Sequence, residues 1–171
     1  EAYQLNFNEG AEYASNLIRV NYSAMNVPAT VYQYNLKTEK RKKLKQQKIP
    51  AGFNKNKYET KRVFAKSHDG KKIPISILKL KTTKNNAPTL LYGYGSYGMS
   101  MAPSFSVARL SLVDRGMVFA IAHIRGGMEK GRQWYLDGKL RKKKNTFKDF
   151  IKSAKFLKNS KISGDLTIHG G

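Results

Sequence analysis

The pattern of apolar and polar positions changes character near residue 58. Before that point, residues 16–22 alternate with the period of two that half-buried strands show. Residues 29–36 are rich in Val and Tyr and predict a second strand, and residues 40–48 continue as a highly charged strand. We therefore predict short antiparallel strands throughout residues 1–57. Strands of this length and spacing are typical of a β-sandwich or of a β-propeller blade.

From residue 58 onward, the pattern predicts strands that alternate with helices. Asp69-Gly70 separates two strands and predicts a hairpin turn. The elements predicted after the hairpin are a strand, a helix, a strand, a helix and a strand, over residues 88–92, 105–115, 117–124, 145–158 and 165–169. Thr146 and Asp149 have the spacing of a capping box at the start of the second helix. This order predicts an α/β fold over residues 58–171, built with crossover connections.

Length and composition exclude several classes of protein. The 171 residues suffice for one domain with a core or for pieces of two. The sequence has no cysteine, which excludes disulfides, thiolate catalysis and cysteine-based zinc sites, and which fits a cytoplasmic location. No apolar segment approaches the roughly 18 residues of a membrane span, so no membrane association is expected. We predict no metal site and no cofactor.

The net charge of +22 is the most unusual feature of the composition, since 33 Lys and Arg residues face 11 Asp and Glu residues. The lysines concentrate at residues 37–48 and 139–144. A basic nucleic-acid-binding protein is therefore one alternative. Because no base-reading motif accompanies either run, we expect nucleic acid not to be the main partner, and we expect the lysines to lie on solvated faces.

A loop of alternating glycines and tyrosines at residues 93–98, the Gly/Tyr loop, follows the strand predicted at residues 88–92. Its glycines match the G-x-G-x-x-G pattern of dinucleotide sites. In such sites a helix begins at the third glycine and an acidic residue ends the second strand. Here Pro103 interrupts the segment after Gly98, and Asp114 precedes the second strand. We therefore reject a nucleotide site and interpret the loop as an oxyanion loop.

The last residues support that interpretation. A strand leads into Gly170 and Gly171, which match the first positions of the G-x-S-x-G nucleophile elbow of α/β-hydrolases. The second oxyanion donor of such enzymes comes from a loop after an earlier strand, where the Gly/Tyr loop lies. The serines near that loop lie in no strand–turn–helix elbow, and the three histidines are expected to be structural. These residues are Ser96, Ser100, Ser104, His68, His123 and His169.

Several motifs in a fixed order resemble the prolyl oligopeptidase family of serine peptidases. They lie at residues 91–98, 105–110, 124–127, 134 and 143–149. The Tyr-Gly-Ser-Tyr-Gly form of the loop and residues 140–147 are closer to the oligopeptidase B branch, also called protease II. The resemblance implies that residues 1–57 are the last strands of a β-propeller. It also implies that residues 58–171 are the start of an α/β-hydrolase domain.

The family cleaves short peptides through an acyl-enzyme with a Ser-Asp-His triad, and branch B cleaves after Arg or Lys. By the resemblance, Tyr94 is an oxyanion donor through its side-chain hydroxyl, and Tyr97 lines the pocket for the residue before the scissile bond. Branch B has two acidic residues after this loop, which are associated with a preference for a second basic residue before the cut. The matching positions here are Ala102 and Ser104, so the chain lacks the acidic residues that go with that preference.

Gly170 and Gly171 match the two residues before the catalytic serine, so the whole triad is expected beyond residue 171. We therefore expect the chain to be inactive by itself and to need a complementary C-terminal chain or segment. The alternative is a non-catalytic product of a split or decayed gene.

Overall fold

The computed structural model describes residues 2–8, 10, 12 and 14–170. Within this part, the chain forms two compact units. The first contains residues 2–56 together with the short segment 102–106. The second contains residues 57–101 and 107–170. The sequence predicted a change of architecture near residue 58 but did not indicate that residues 102–106 pack with the first unit.

The first unit is an antiparallel sheet of four strands in the order β1-β2-β3-β4. The strands are β1 (Tyr3–Asn8), β2 (Leu17–Ala24), β3 (Val27–Asn35) and β4 (Arg41–Gln46). Three of them match the predicted strands to within a few residues. Strand β1 lies in the region predicted to form strands, but no bounds were predicted for it, although Tyr3, Leu5 and Phe7 alternate with polar residues as strands do.

The second unit is built on a mixed sheet of five strands in the order β5-β6-β8-β7-β9. Its strands are β5 (Tyr58–Lys66), β6 (Lys72–Leu80), β7 (Ala87–Tyr92), β8 (Val118–Ala122) and β9 (Ser163–His169). Its helices are α1 (Val107–Val113), α2 (Arg132–Leu136) and α3 (Lys144–Asn159), with 3₁₀ turns at Lys55–Lys57 and Leu140–Lys142. The predicted hairpin, strands and two longer helices are confirmed, and α2 was missed.

The core of the second unit explains the apolar segments of the sequence. Strand β8 lies between β6 and β7, and all five of its residues are buried. It pairs antiparallel with β6 and parallel with β7. Because its side chains are buried on both faces of the sheet, a polar side chain there would lose its hydration, which explains why the segment is apolar. Helix α3 contributes Leu157, which is fully buried, and Phe150 packs against the same core.

The predicted capping box of α3 is wrong. The helix begins at Lys144, and Lys143 is its N-cap with no side-chain cap hydrogen bond. Thr146 and Asp149 lie within the first two turns and are buried, where they bind groups from other elements rather than the helix's own N–H groups. None of the helices in the described part of the chain is long and apolar enough to cross a membrane.

Candidate active site

The Gly/Tyr loop lies at one end of the five-stranded sheet, beside the end of β9. Strands β7 and β9 are parallel neighbours, and Tyr92 pairs with His169 at their carboxyl ends. The Gly93 N–H then donates to the His169 carbonyl oxygen at 3.1 Å. The loop and Gly170 are therefore adjacent, at the carboxyl ends of two neighbouring parallel strands. Gly171 lies outside the described residues.

Helix α3 contacts the loop through Thr146 and Phe150, which are four residues apart. A Cβ on Gly93 would lie 2.7 Å from the Phe150 ring, and a Cβ on Gly95 would lie 2.6 Å from the Thr146 methyl group. Lys143 lies one turn earlier on the same face. The glycines of the loop therefore allow its backbone to rest directly on α3.

A second glycine contact fixes the loop against the turn after β8. Gly126 has a φ of +100°, and a Cβ on it would lie 1.9 Å from the Gly95 carbonyl oxygen. The Gly98 N–H donates to the Gly126 carbonyl oxygen at 2.9 Å. Because the clash would be with backbone, no side-chain movement could relieve it.

We therefore expect Gly126→Ala to destabilise the protein well beyond the cost of its positive φ. The matched control is Gly116→Ala, since Gly116 has a φ of +90° and nothing within 4 Å of the added Cβ. The control should lose about 1–2 kcal/mol of unfolding free energy for the left-handed backbone. Gly126→Ala should lose about 1–3 kcal/mol more because of overpacking. Urea denaturation measures both, and equal losses would contradict the close approach.

Lys143 holds the loop from the side. Its Nζ donates to the Gly95 carbonyl oxygen at 2.7 Å and to Ser96 Oγ at 2.6 Å. The side chain is half-buried, and burial lowers the pKa of Lys143 below its ordinary value. From the sequence, this lysine was expected to lie on a solvated face, and its contacts with the loop show that this expectation is wrong.

The two tyrosines of the loop differ in environment. Tyr94 is half-buried, and no described residue forms a hydrogen bond with its hydroxyl, which leaves the group able to donate to a bound molecule. Tyr97 has a φ of 54° and is 85% exposed. A bulky residue in the left-handed region is strained, and such strain is concentrated at functional sites.

A cavity of about 310 Å³ opens beside the loop. Its side chains include Ser96 and Tyr97 from the loop, Tyr135 from α2, and Lys139 and Lys143 from the segment that joins α2 to α3. The backbones of two glycines complete its wall together with a leucine. No carboxylate lines this cavity.

The turn after β8 is anchored by the buried guanidinium of Arg125. Its Nε and Nη2 donate to the two carboxylate oxygens of Asp149 at 2.7 and 2.6 Å, and its Nη1 donates to Asp69 at 2.6 Å. Nη2 also donates to Ser67 Oγ at 3.0 Å, and the guanidinium lies 5.5 Å from the centre of the Trp134 ring. Arg125 and Asp149 are both fully buried.

This arrangement keeps Arg125 charged. Burial by itself would lower the pKa of Arg125, but the hydrogen bonds with Asp149 and Asp69 outweigh it and raise that pKa above its ordinary value. Burial raises and the Arg125 hydrogen bonds lower the pKa of Asp69, and the net direction is down. The Arg125 carbonyl oxygen accepts a hydrogen bond from Thr146 Oγ1 at 2.8 Å. Since the methyl group of Thr146 packs against Gly95, this bond connects the ion pairs of Arg125 to the Gly/Tyr loop.

Asp137, at the end of α2, forms ion pairs with two lysines. Its Oδ2 accepts from Lys71 Nζ at 2.5 Å, and its Oδ1 accepts from Lys142 Nζ at 2.9 Å. Gln133 Nε2 donates to Oδ1 at 3.0 Å. The hydrogen bonds from Lys71 and Lys142 hold the pKa of Asp137 well below its ordinary value.

A carboxylate whose pKa is depressed by folding stabilises the protein above its unfolded pKa and loses that effect as the pH falls through the folded pKa. We therefore expect Asp137→Asn to lower the unfolding free energy at pH 7, and we expect the gap to the unaltered chain to narrow below pH about 4. Denaturation curves at several pH values measure this. Asp165→Asn is the control, because Asp165 is exposed, and it should show no gap. A gap for Asp137→Asn that is constant down to pH 2 would contradict this account.

A buried serine and histidine, with a glutamate nearby, lie in the order of a catalytic triad. Ser76 Oγ lies 2.7 Å from His123 Nε2, and His123 Nδ1 lies 3.6 Å from Glu129 Oε1. However, Ser76 is fully buried and His123 is 1% exposed, so no substrate reaches the hydroxyl. Arg62 Nη2 donates to the same oxygen at 3.2 Å. The group is structural, as the sequence predicted for His123.

Within residues 2–8, 10, 12 and 14–170, no group of three or more His, Asp or Glu side chains is placed to hold a metal ion. His68 lies in the turn between β5 and β6, with Nδ1 3.2 Å from Ser67 Oγ. The His169 ring lies 5.5 Å from the Tyr92 ring. Within the described residues, neither histidine forms a hydrogen bond with Ser96, the serine of the Gly/Tyr loop.

Comparison with known proteins identifies a family. A model of the prolyl oligopeptidase family matches residues 103–171. Dipeptidyl aminopeptidase BI of Pseudoxanthomonas mexicana is 48% identical over 159 residues, which cover 91% of this chain and 22% of that protein. Protease 2 of Moraxella lacunata is 37% identical over 147 residues, which cover 85% of this chain and 21% of that protein.

The solved structures agree. Oligopeptidase B of Leishmania major matches with a TM-score of 0.91 and 40% identity, over 99% of this chain and 24% of that one. Oligopeptidase B of Trypanosoma brucei, solved with covalently bound antipain, matches with a TM-score of 0.92 and 38% identity, over 99% of this chain and 25% of that one. The chain thus spans about a quarter or less of the length of the proteins that it matches.

Proposed function

Because the chain belongs by sequence and by fold to the prolyl oligopeptidase family, we propose that it supplies the oxyanion loop of a serine peptidase that cleaves short peptides. The observation that carries this proposal is the position of the Gly/Tyr loop. The loop follows β7, the third strand of its sheet along the chain, and precedes a helix, which is where α/β-hydrolases place the second oxyanion donor. It also lies beside the end of β9, where a nucleophile elbow would begin.

The two units are proposed to be parts of two domains. The four antiparallel strands of the first unit have the number and arrangement of a propeller blade, so we assign them to the end of a β-propeller. The mixed sheet of the second unit, with its parallel β7, β8 and β9, is assigned to the start of an α/β-hydrolase domain.

In the proposed reaction, a serine Oγ attacks the carbonyl carbon of the scissile peptide bond while a histidine accepts its proton. Negative charge develops on the carbonyl oxygen, and this oxygen accepts a hydrogen bond from the Tyr94 hydroxyl. The C–N bond then breaks, the amine leaves with the proton from the histidine, and an acyl-enzyme remains. Water hydrolyses this ester through a second tetrahedral intermediate, which the same donor stabilises.

We propose that the serine, aspartate and histidine of the triad come from residues outside these 171, either in a longer polypeptide or in a complementary chain. Two observations support this. Ser76, the described serine that lies against a histidine nitrogen in triad order, is fully buried. In addition, the solved structures that the chain matches are about four times its length.

Substrate choice is the finer part of the proposal. The resemblance to oligopeptidase B favours cleavage after Arg or Lys, and we assign that preference to residues outside this chain because no carboxylate lines the cavity beside Tyr97. A second candidate is release of dipeptides from a free N terminus, favoured by the 48% identity to a protein named dipeptidyl aminopeptidase BI. We place the enzyme in the cytoplasm, which a chain without cysteine suits.

The test is peptide hydrolysis by this chain alone and by a longer polypeptide that contains it. The chain alone should hydrolyse no peptide and should stay unlabelled by a serine-directed phosphonate, whereas the longer polypeptide should be labelled and active. Blocked peptides with Arg or Lys before the cut, compared with unblocked dipeptide substrates, distinguish the two candidates. A labelled serine within residues 2–170 would contradict the proposal, and inactivity of every longer form would favour the decayed-gene alternative.

A further inference from the structure

We propose that Lys143 is a positioning residue for the peptidase reaction, and that its ammonium group keeps the Tyr94 hydroxyl in place by fixing the backbone beside it. The catalytic part of this inference rests on the proposed function. The way in which Lys143 holds the loop does not, because it follows from contacts within the second unit. Lys143 acts through Tyr94 rather than on the substrate.

The first argument is that Tyr94 lies between two fixed neighbours. On one side, the Gly93 N–H donates to the His169 carbonyl oxygen at 3.1 Å, so strand β9 fixes that end. On the other side, Lys143 Nζ donates to the Gly95 carbonyl oxygen at 2.7 Å. Because the residues that flank Tyr94 are each held, the path of its backbone, and hence the direction of its side chain, is set from both ends.

The second argument is that one side chain supplies the polar hold on Gly95. A Cβ on Gly95 would lie 2.6 Å from the Thr146 methyl group and 2.8 Å from the Arg125 carbonyl oxygen. Those close approaches limit how far Gly95 can move. Lys143 adds a charge-assisted hydrogen bond to the Gly95 carbonyl oxygen and a second one to Ser96 Oγ, at 2.6 Å. A single substitution can therefore release this side of the loop.

The third argument is that the helix beside Lys143 does not explain a lysine at this position. Lys143 is the N-cap of α3 and forms no side-chain cap hydrogen bond. The positive end of the helix dipole disfavours a cation here, and Ser, Thr, Asp and Asn are the residues that cap helices well. In the described part of the chain, no ion pair involves Lys143. Its charge therefore contributes through the Gly/Tyr loop.

The first test is a double-mutant cycle in an active peptidase that contains this chain. Lys143→Met keeps the length of the side chain and removes its charge and donors. It should lower kcat by about 10- to 100-fold with little change in KM, since a misplacement of about 1 Å can cost that much. In the Tyr94→Phe background the further loss should be about twofold or less, because the hydroxyl that Lys143 positions is gone. A side chain that only stabilises the fold would cost the same in both backgrounds.

Two further variants serve as controls. Lys143→Arg keeps the charge and the donors, so its kcat should lie between those of the unaltered peptidase and Lys143→Met. Lys144→Met removes the same charge from the neighbouring residue, which is exposed, and it should leave kcat unchanged. Far-ultraviolet circular dichroism checks that every variant folds.

The second test needs no catalysis and uses the 171-residue chain. At the end of the loop, the Gly98 and Met99 N–H groups each donate to a carbonyl oxygen, at 2.9 and 3.0 Å. Hydrogen exchange followed by NMR should be about tenfold faster at these two amides in Lys143→Met than in Lys144→Met, because the loop opens more readily without the Lys143 hydrogen bonds. The Gly93 amide, which β9 holds, should exchange at the same rate in both variants.

An unchanged kcat in Lys143→Met, or equal losses in the two Tyr94 backgrounds, would overturn the proposal, and so would unchanged exchange at Gly98 and Met99. A loss confined to KM would assign Lys143 to substrate binding, against the proposal. If Tyr94→Phe lowered kcat and Lys143→Met did not, the proposed function would stand and the role of Lys143 would fail. If no longer polypeptide hydrolysed peptides, the proposed function would fail and the catalytic role of Lys143 with it, whereas faster exchange would still show that Lys143 holds the loop.

Discussion

Tyr94→Phe, made in an active peptidase that contains this chain, is expected to lower kcat by about 10²–10³, which corresponds to roughly 3–4 kcal/mol. The substitution keeps the ring of a half-buried residue and removes only the hydroxyl. Because the donor acts on charge that develops in the transition state, kcat should fall much more than KM rises. Steady-state kinetics on one blocked peptide measures both parameters.

Tyr92→Phe is the matched control. Tyr92 is the last residue of β7, and its hydroxyl lies 3.4 Å from the sulfur of Met101, a weak interaction whose loss should change kcat little. If Tyr92→Phe were the impaired variant and Tyr94→Phe near normal, the oxyanion donor would be misplaced by two residues. If neither variant changed kcat, the assignment of the Gly/Tyr loop to acyl transfer would fail.

Asp149→Asn should cause the largest loss of stability, about 3–5 kcal/mol. It removes the carboxylate that receives both Nε and Nη2 of Arg125. The fully buried guanidinium then keeps one charged partner, the more exposed Asp69, and the neutral hydroxyl of Ser67. A buried charge without its partner cannot regain the hydration that it lost on folding. Urea denaturation of the unaltered and variant chains measures the difference.

Asp69→Asn tests whether burial sets this cost. The Asp69 side chain is 34% exposed, and Arg125 would keep both hydrogen bonds to Asp149, so the expected loss is about 1 kcal/mol or less. An Asp69→Asn loss as large as that of Asp149→Asn would show that Arg125 depends on both carboxylates equally, against this account.

Local patterns predicted most of the secondary structure because each depends on neighbours in sequence. The apolar run of β8, the Asp69-Gly70 turn and the period of α3 all lie where the sequence predicted them. The start of α3 was misread for the same reason. Thr146 and Asp149 have capping-box spacing, but partners at Arg125, more than 20 residues away, determine their roles.

The contacts that shape the candidate site were beyond local reasoning. Lys143 belongs to a lysine run that reads as solvated surface, yet its ammonium group contacts Gly95 and Ser96, which are 48 and 47 residues earlier. Arg125 reads as part of a turn, and its partner Asp69 is 56 residues away. One signal was available for Lys143, since the period of α3 places it on the same face as Thr146 and Phe150.

The most direct test of the central claim is the structure of an active peptidase containing this chain, with a phosphonate bound covalently to its serine. The phosphonate oxygen occupies the position of the oxyanion. We predict that the Tyr94 hydroxyl lies about 2.7–3.1 Å from that oxygen, at the end of β7 and beside Gly170. A phosphonate oxygen that lies out of hydrogen-bond reach of Tyr94 and receives its donors from other groups would contradict the account.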